Sequence, residues 1–379
     1  MNEKILILTD RYGNGHLQAA NAIQQAIRLA DPKMEVMVAD FMEFTHPYSY
    51  PISRFLFLKG IQKLPSLYGY FFQKTYHHSP YWVHDLMKLG LKRMDQWLNQ
   101  IHPSVVISTS PLAASMMSIV KEQGLNVPTV TVITDHTSHG FWVQSATDLY
   151  LVSSEFVRQS LTGLGVPFSC VEVTGIPIRQ EFQNKHCRKE LIEKYHLHPN
   201  VPTILVMGGG EGMLGNGKKL LKQFNLLPER CQIIIVCGHN MKLKRNLDKQ
   251  IIHSKHRILS TGYVENIDEL MSLSDLVITK AGGLTTAEAI ALEIPLLLYK
   301  SLPGQEQENA KFLLEAGVAI QAVTETDLTA HLTTLLKKPE LLQQMKIKTR
   351  LVQPKNSAAR AAEIILSLGQ SLLNHPRWT

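Results

Sequence analysis

Cysteine is scarce: the 379 residues contain four, Cys170, Cys187, Cys231 and Cys237, and no two form a CxxC pair. That spacing suggests neither a disulfide framework nor a zinc site, and the four read as reduced, mostly buried thiols. Long hydrophobic runs are missing too. None approaches the roughly eighteen residues of a spanning helix, and KILILT at 4–9 is stopped by Asp10 before it has the length of a signal-peptide core. The chain is therefore expected in the cytosol. Low-complexity tracts and repeats with a period of roughly 20–50 residues are absent. With 44% hydrophobic and 19% charged residues, disorder is excluded as the main theme. The length suits two domains of about 150–200 residues rather than one core.

Net charge is missing from the first half, where residues 1–175 hold 13 Lys and Arg against 13 Asp and Glu. The balance hides a local concentration. Between 46 and 95 stand Arg54, Lys59, Lys63, Lys74, Lys88, Lys92 and Arg93 against only Asp85 and Asp95. Residues 41–82 also carry 13 of the chain's 27 aromatic residues. Aromatic rings suit the headgroup level of a bilayer, and each basic side chain near an anionic leaflet contributes about 1 kcal/mol. The segment at about 41–95 therefore reads as an insertion lying on an anionic membrane surface. An aromatic helical subdomain packed on the sheet is the alternative. Base stacking ranks below both, and no nucleic-acid partner is predicted. The remaining positive charge, +7 for the whole chain, is scattered over helix faces such as Lys218, Lys219 and Lys222, where a solvated surface explains it.

Short apolar runs alternate with helical patterns. KILILT (4–9), EVMVAD (35–40), SVVIST (104–109), TVTVIT (129–134), LYLVSS (149–154) and VEVTG (171–175) form one series. After a weaker stretch at 176–201 a second begins: TILVMG (203–208), QIIIVCG (232–238), RILSTGYV (257–264), LVITKAG (276–282) and IPLLLYK (294–300). Near-continuous apolar runs are what parallel strands buried on both faces require. Helices are predicted between them, for example at 15–30 and 112–123. The class is α/β, with two doubly wound domains and ligands at the carboxyl ends of the strands.

Two glycine turns mark the second domain. Gly208-Gly209-Gly210-Glu211-Gly212 follows one strand, and Ala281-Gly282-Gly283-Leu284-Thr285-Thr286 follows another and opens a helix containing Glu288. Such turns let backbone N–H groups reach an anion at a helix N-terminus, and a diphosphate fits there. Glu288 is placed to accept hydrogen bonds from ribose hydroxyls. A tight turn with a surface Glu remains the plainer alternative. The polar loop Pro303-Gly304-Gln305-Glu306 offers mixed donors and acceptors for sugar hydroxyls.

In the first domain Tyr12-Gly13-Asn14-Gly15-His16 opens a helix, but Gln18 stands where a dinucleotide fingerprint needs its third glycine. That reading, with Asp40 on a ribose, is the weaker one. The other is His16 as a general base, since an imidazole takes up a proton near neutral pH. Thr134-Asp135-His136-Thr137-Ser138-His139, followed by Trp142, is the second ionisable cluster. Asp135 with two histidines suggests a metal, but no further ligand set is visible and zinc sites want three protein ligands with supported geometry, so no metal is predicted. Asp135 orients a base or is the base, with helix capping as the structural alternative.

Taken as an ordered set, the GNGH helix opening, Thr134-Asp135 with His139 and Trp142, Thr174-Gly175-Ile176-Pro177-Ile178-Arg179, GGGEG, Gly262-Tyr263-Val264, KAGGLTTAEA and PGQEQENA resemble one family over nearly the whole chain. It is the monogalactosyldiacylglycerol synthase and processive diacylglycerol beta-glucosyltransferase family, glycosyltransferase family 28. The resemblance implies a GT-B fold, two Rossmann-like doubly wound domains facing across a cleft, and inverting transfer from a UDP-sugar to diacylglycerol with no metal and no other cofactor. It implies an acceptor domain at 1–175, a linker at 176–201, a UDP-sugar domain at 202–356 and a C-terminal helix at 357–379 crossing back to the first domain.

Carried over position by position, the resemblance sets the uracil near Val264, the diphosphate on Gly283, Leu284 and Thr285, and the ribose on Glu288. Arg179, Gly209 and Gly210 assist with the donor, and Gln305 and Glu306 take the sugar hydroxyls. His16 is the implied base and Asp135 its rival, with Gly13, Asn14, Gly15, His139 and Trp142 on the acceptor side. Segments such as PGQE and GYVE point to UDP-glucose, whereas the GGGEG turn is shared with galactosyl enzymes and keeps UDP-galactose as the alternative. A non-catalytic nucleotide-binding module is the alternative from another class. The implied location is peripheral, on the cytoplasmic face of the cell membrane.

Overall fold

The computed structural model describes residues 4–76, 81–184, 186–210, 212, 215–352 and 354–374. The chain forms two compact units, Met1–Gln180 with Pro303–Gln305 and Pro354–Thr379, and Glu181–Leu302 with Glu306–Gln353.

In the first unit the strands β1 (Lys4–Thr9), β2 (Glu35–Asp40), β3 (Val105–Ser108), β4 (Thr129–Val132), β5 (Leu149–Val152) and β6 (Val171–Val173) form a parallel sheet in the order β2-β1-β3-β4-β5-β6. Side chains alternate across it, as the pleat demands. Ile5 and Ile7 pack with Ile23 and Ile27 of the helix Asn14–Ala30 and with Ala361, Ala362 and Ile365 of the C-terminal helix Ser357–Asn374. Leu6 and Leu8 face the other way, onto Met94, Leu98, Met116 and Met117. Ala20, Ile23 and Ile27 give the helix Asn14–Ala30 a buried stripe at the spacing of helical turns, which is why it lies on the sheet.

Five helices interrupt the alternation after β2: Phe41–Thr45, Tyr50–Lys63, Pro65–Lys74, Tyr81–Lys88 and Leu91–Ile101. Pro51 and Pro65 stand in the first turns of two of them, where a missing N–H costs nothing. The segment divides its apolar residues between two fates. Phe41, Met42, Tyr50, Met87, Met94 and Leu98 belong to the core, whereas Ile52, Phe55, Leu56, Leu67, Tyr70 and Phe71 are exposed. Among the described residues no helix is long and apolar enough to cross a membrane.

The second unit contains β7 (Thr203–Met207), β8 (Gln232–Val236), β9 (Arg257–Thr261), β10 (Leu276–Thr279), β11 (Leu296–Tyr299) and β12 (Ala319–Ala322), parallel and in the order β12-β11-β10-β7-β8-β9. Ile204, Val206, Ile233, Ile235 and Ile278 pack on Leu220, Phe224, Leu328 and Leu332 of the covering helices. The α/β class and the doubly wound pattern expected from sequence are both present. The strand β12 escapes the sequence reading because Ala-Ile-Gln-Ala is a short edge strand with Ile320 and Gln321 only half-buried.

In open sheets of this kind ligands bind beyond the carboxyl ends of the strands, where strand order reverses. The reversal falls between β1 and β3 in the first sheet and between β7 and β10 in the second.

Candidate active site

The reversal point of the second unit is where both glycine turns emerge. Gly208–Gly210 follow β7, and Lys280–Gly283 follow β10. The backbone around Gly210 is packed against the turn after β8, with the His239 N–H donating to Gly210 O at 2.9 Å. Gly238 makes this possible: its φ is +56°, and a Cβ there would stand 2.2 Å from Gly210 O. Gly209 faces open space. Glu211 lies outside the described residues.

The helix Gly283–Ala291 begins at Gly282 without a side-chain cap and without an acidic residue in its first turn. Its first N–H groups, on Gly283, Leu284 and Thr285, have no partner within the helix, and the helix dipole adds positive potential there. Glu288 is buried within the same helix. The preceding turn is tied to its surroundings, because the Ala281 N–H donates to Ser301 Oγ at 3.2 Å and Asn309 Nδ2 donates to Ala281 O at 3.1 Å. Val264 is half-buried just beyond β9, beside Tyr263, whose ring stacks on His239 with centroids 4.6 Å apart.

Glu306 is engaged on both oxygens. Lys280 Nζ donates to Oε1 at 2.8 Å, and the Leu302 N–H donates to Oε2 at 2.7 Å. Gln305, its neighbour in sequence, is grouped with the first unit, where its Nε2 donates to the carboxylate of the buried Asp135. Arg179 also lies in the first unit, half-buried beyond β6. The second unit thus contains Gly209, Gly210, Val264, Gly283, Leu284, Thr285, Glu288 and Glu306, but neither Gln305 nor Arg179.

In the first unit Gly13 precedes the helix Asn14–Ala30, again with no side-chain cap, and is exposed, while Asn14 and Gly15 are half-buried. His16 Nδ1 lies 3.0 Å from Thr134 Oγ1, and its ring meets Trp142 edge-on at 6.0 Å. The loop before it is held by the helix Tyr50–Lys63: Tyr50 OH accepts from the Arg11 N–H at 2.7 Å, and Arg54 Nε donates to Arg11 O at 2.7 Å. Asp40 caps the helix Phe41–Thr45 through the Met42 N–H and accepts from Tyr50 OH at 2.8 Å. Burial pushes its carboxyl above the usual range. Asp40, the ribose ligand of the dinucleotide reading, is thus committed to the fold.

The two histidines after Asp135 differ. His139 is buried, with Nδ1 accepting from the Phe141 N–H at 3.1 Å and Nε2 2.9 Å from Phe72 O, so its ring ties the loop to the helix Pro65–Lys74. His136 is fully enclosed, and burial lowers its pKa to about 4, which keeps it neutral. Among the described residues no group of three His, Cys, Asp or Glu side chains is placed to hold a metal ion. Sequence reasoning missed Lys280, Ser301 and Asn309. The signal for Lys280 was present: a lysine directly after the apolar run LVIT, at the strand end where ligands collect.

The profile described as Monogalactosyldiacylglycerol (MGDG) synthase matches residues 16–178, and that described as Glycosyltransferase family 28 C-terminal domain matches 203–364. The processive diacylglycerol beta-glucosyltransferase of Bacillus pumilus is 34% identical over 377 residues, covering 99% of this chain and 97% of that protein. A protein of the same name from Bacillus subtilis is 33% identical over 369 residues, covering 96% and 95%. Among solved structures, Acinetobacter baumannii MurG superposes with a TM-score of 0.65 at 17% identity, over 96% of this chain and 99% of that one. The S. aureus MnaA–UDP co-structure gives 0.61 at 16% identity, over 99% and 97%. At these identities the two structures speak for the fold alone, the GT-B class.

Proposed function

The chain belongs to the family of monogalactosyldiacylglycerol synthases and processive diacylglycerol beta-glucosyltransferases, and from that premise we propose that it transfers glucose from UDP-glucose to diacylglycerol with inversion. The observation that carries this reading is the meeting of two glycine turns and an uncapped helix N-terminus at the β7/β10 reversal point. The diphosphate takes the N–H groups of Gly283, Leu284 and Thr285, whose fixed dipoles stabilise the charge that grows as the glycosidic bond breaks. Uracil lies by Val264, ribose on Glu288, and the sugar hydroxyls on Glu306 and Gln305, with Gly209, Gly210 and Arg179 assisting.

His16 is the base in this reading. With Nδ1–H donated to Thr134 Oγ1, Nε2 keeps the lone pair that takes the acceptor's hydroxyl proton. Asp135 is the rival, and Gly13, Asn14, Gly15, His139 and Trp142 shape the acceptor side. The exposed Ile52, Phe55, Leu56, Tyr70 and Phe71, next to Arg54, Lys59, Lys63 and Lys74, meet an anionic membrane on its cytoplasmic face, where the lipid acceptor resides. Mass spectrometry and anomeric NMR of the products formed from labelled UDP-glucose or UDP-galactose and diacylglycerol test the reading. Beta-glucosyl diacylglycerol is expected. A galactosyl product moves the donor to UDP-galactose, and no glycolipid from either donor refutes the proposal.

A further inference from the structure

We propose that Lys280 is a positioning residue for the donor sugar, fixing the carboxylate of Glu306 and thereby setting discrimination between hexose epimers; this rests on the function proposed above. A lysine with only 11% of its side chain exposed needs a partner, and the structure supplies Glu306 Oε1 at 2.8 Å. The Leu302 N–H occupies Oε2 at 2.7 Å. With one donor from the protein on each oxygen, the plane of the carboxylate is set, and its remaining lone pairs point in fixed directions. Epimeric sugars differ in the direction of a single hydroxyl. A carboxylate free to turn follows either epimer, whereas a fixed one suits only one.

The diphosphate turn does not depend on this ion pair. Ser301 and the fully buried Asn309 hold Ala281 by separate hydrogen bonds. Removing the ammonium therefore loosens the sugar end of the site and leaves the nucleotide end in place. A lysine that merely supported the fold would weaken both ends alike.

The test compares kcat/KM for UDP-glucose and UDP-galactose together with UDP affinity by calorimetry. In Lys280→Met the ratio of the two kcat/KM values is expected to move toward unity by about 10-fold, the size of one misdirected hydrogen bond to a charged group, while UDP affinity is retained. Lys280→Arg, which still donates to Oε1, restores most of the ratio. In a Glu306→Gln background Lys280→Met changes the ratio no further. That double variant leaves no buried charge unpaired, so it also serves should the single variant fail to fold. An unchanged ratio in Lys280→Met, a UDP affinity that falls as far as kcat/KM, or a double variant less selective than Glu306→Gln alone overturns the proposal. Wild-type protein that turns over neither donor overturns it together with the function on which it rests.

Discussion

Gly282 offers a perturbation that separates the fold from the ligand. Its φ is −72°, which any residue adopts, and an added Cβ meets no heavy atom within 4 Å. Alanine at an N-cap costs about 0.5–1 kcal/mol relative to glycine, and the stiffer unfolded chain returns about 0.4–1 kcal/mol. The two nearly cancel, so Gly282→Ala should shift Tm by no more than about 3 °C. The new methyl adds bulk to the turn directly before the N–H groups of Gly283, Leu284 and Thr285, on which the proposed diphosphate sits. A hydrogen bond from such a group to a charged acceptor contributes about 1.5–3 kcal/mol, so displacing the diphosphate from one of them weakens UDP binding about 10- to 100-fold. Calorimetric titration of UDP and thermal unfolding on the same preparation measure both quantities. An unaltered UDP affinity with an unaltered Tm refutes the assignment of the diphosphate to this helix. Gly238→Ala is the contrasting control, since its Cβ would stand 2.2 Å from Gly210 O and the fold should suffer first.

His16→Ala should lower kcat about 10²- to 10⁴-fold while leaving UDP affinity intact; full activity in that variant would move the base to Asp135. His136, whose pKa falls from 6.5 to about 4 by burial, stays neutral in the folded state while the unfolded chain takes up a proton. Its contribution is therefore fully present above pH 6.5 and declines as pH falls toward about 4, by about 3 kcal/mol in all. Urea unfolding of wild type and His136→Phe across that window should show the wild-type loss flattened in the variant, and parallel profiles would contradict it. Ile52→Ser/Phe55→Ser/Leu56→Ser removes side chains that are 64%, 55% and 61% exposed. Sedimentation with anionic liposomes should weaken at least about 10-fold with Tm unchanged, and undiminished binding would contradict a membrane role for that surface.

The central strands were legible because parallel strands buried on both faces must be apolar throughout, so KILILT coincides with β1 residue for residue. Runs such as RILSTGYV and LVITKAG overshoot β9 and β10, because the residues that leave the strands are, Lys280 apart, themselves apolar or small. The strand β12 was not legible, since a short edge strand carries no such signature. The glycine turns were visible as turns, but their meeting at one reversal point is a property of strand order, which local sequence does not encode. The pairing of Lys280 with Glu306 was hidden for the same reason: Lys280 directly follows β10, whereas Glu306 lies in the first turn of the helix after β11. His139 was legible as an ionisable residue near Asp135, yet its environment is set by Phe72 and Phe141, one of them in a distant helix.

A crystal structure of the protein with UDP bound tests the central claim most directly. The account predicts the diphosphate oxygens within hydrogen-bond distance of the Gly283, Leu284 and Thr285 N–H groups and the uracil beside Val264. A diphosphate seated instead at the Asn14 end of the first unit's helix, with Gly283–Thr285 in contact with solvent alone, would contradict it.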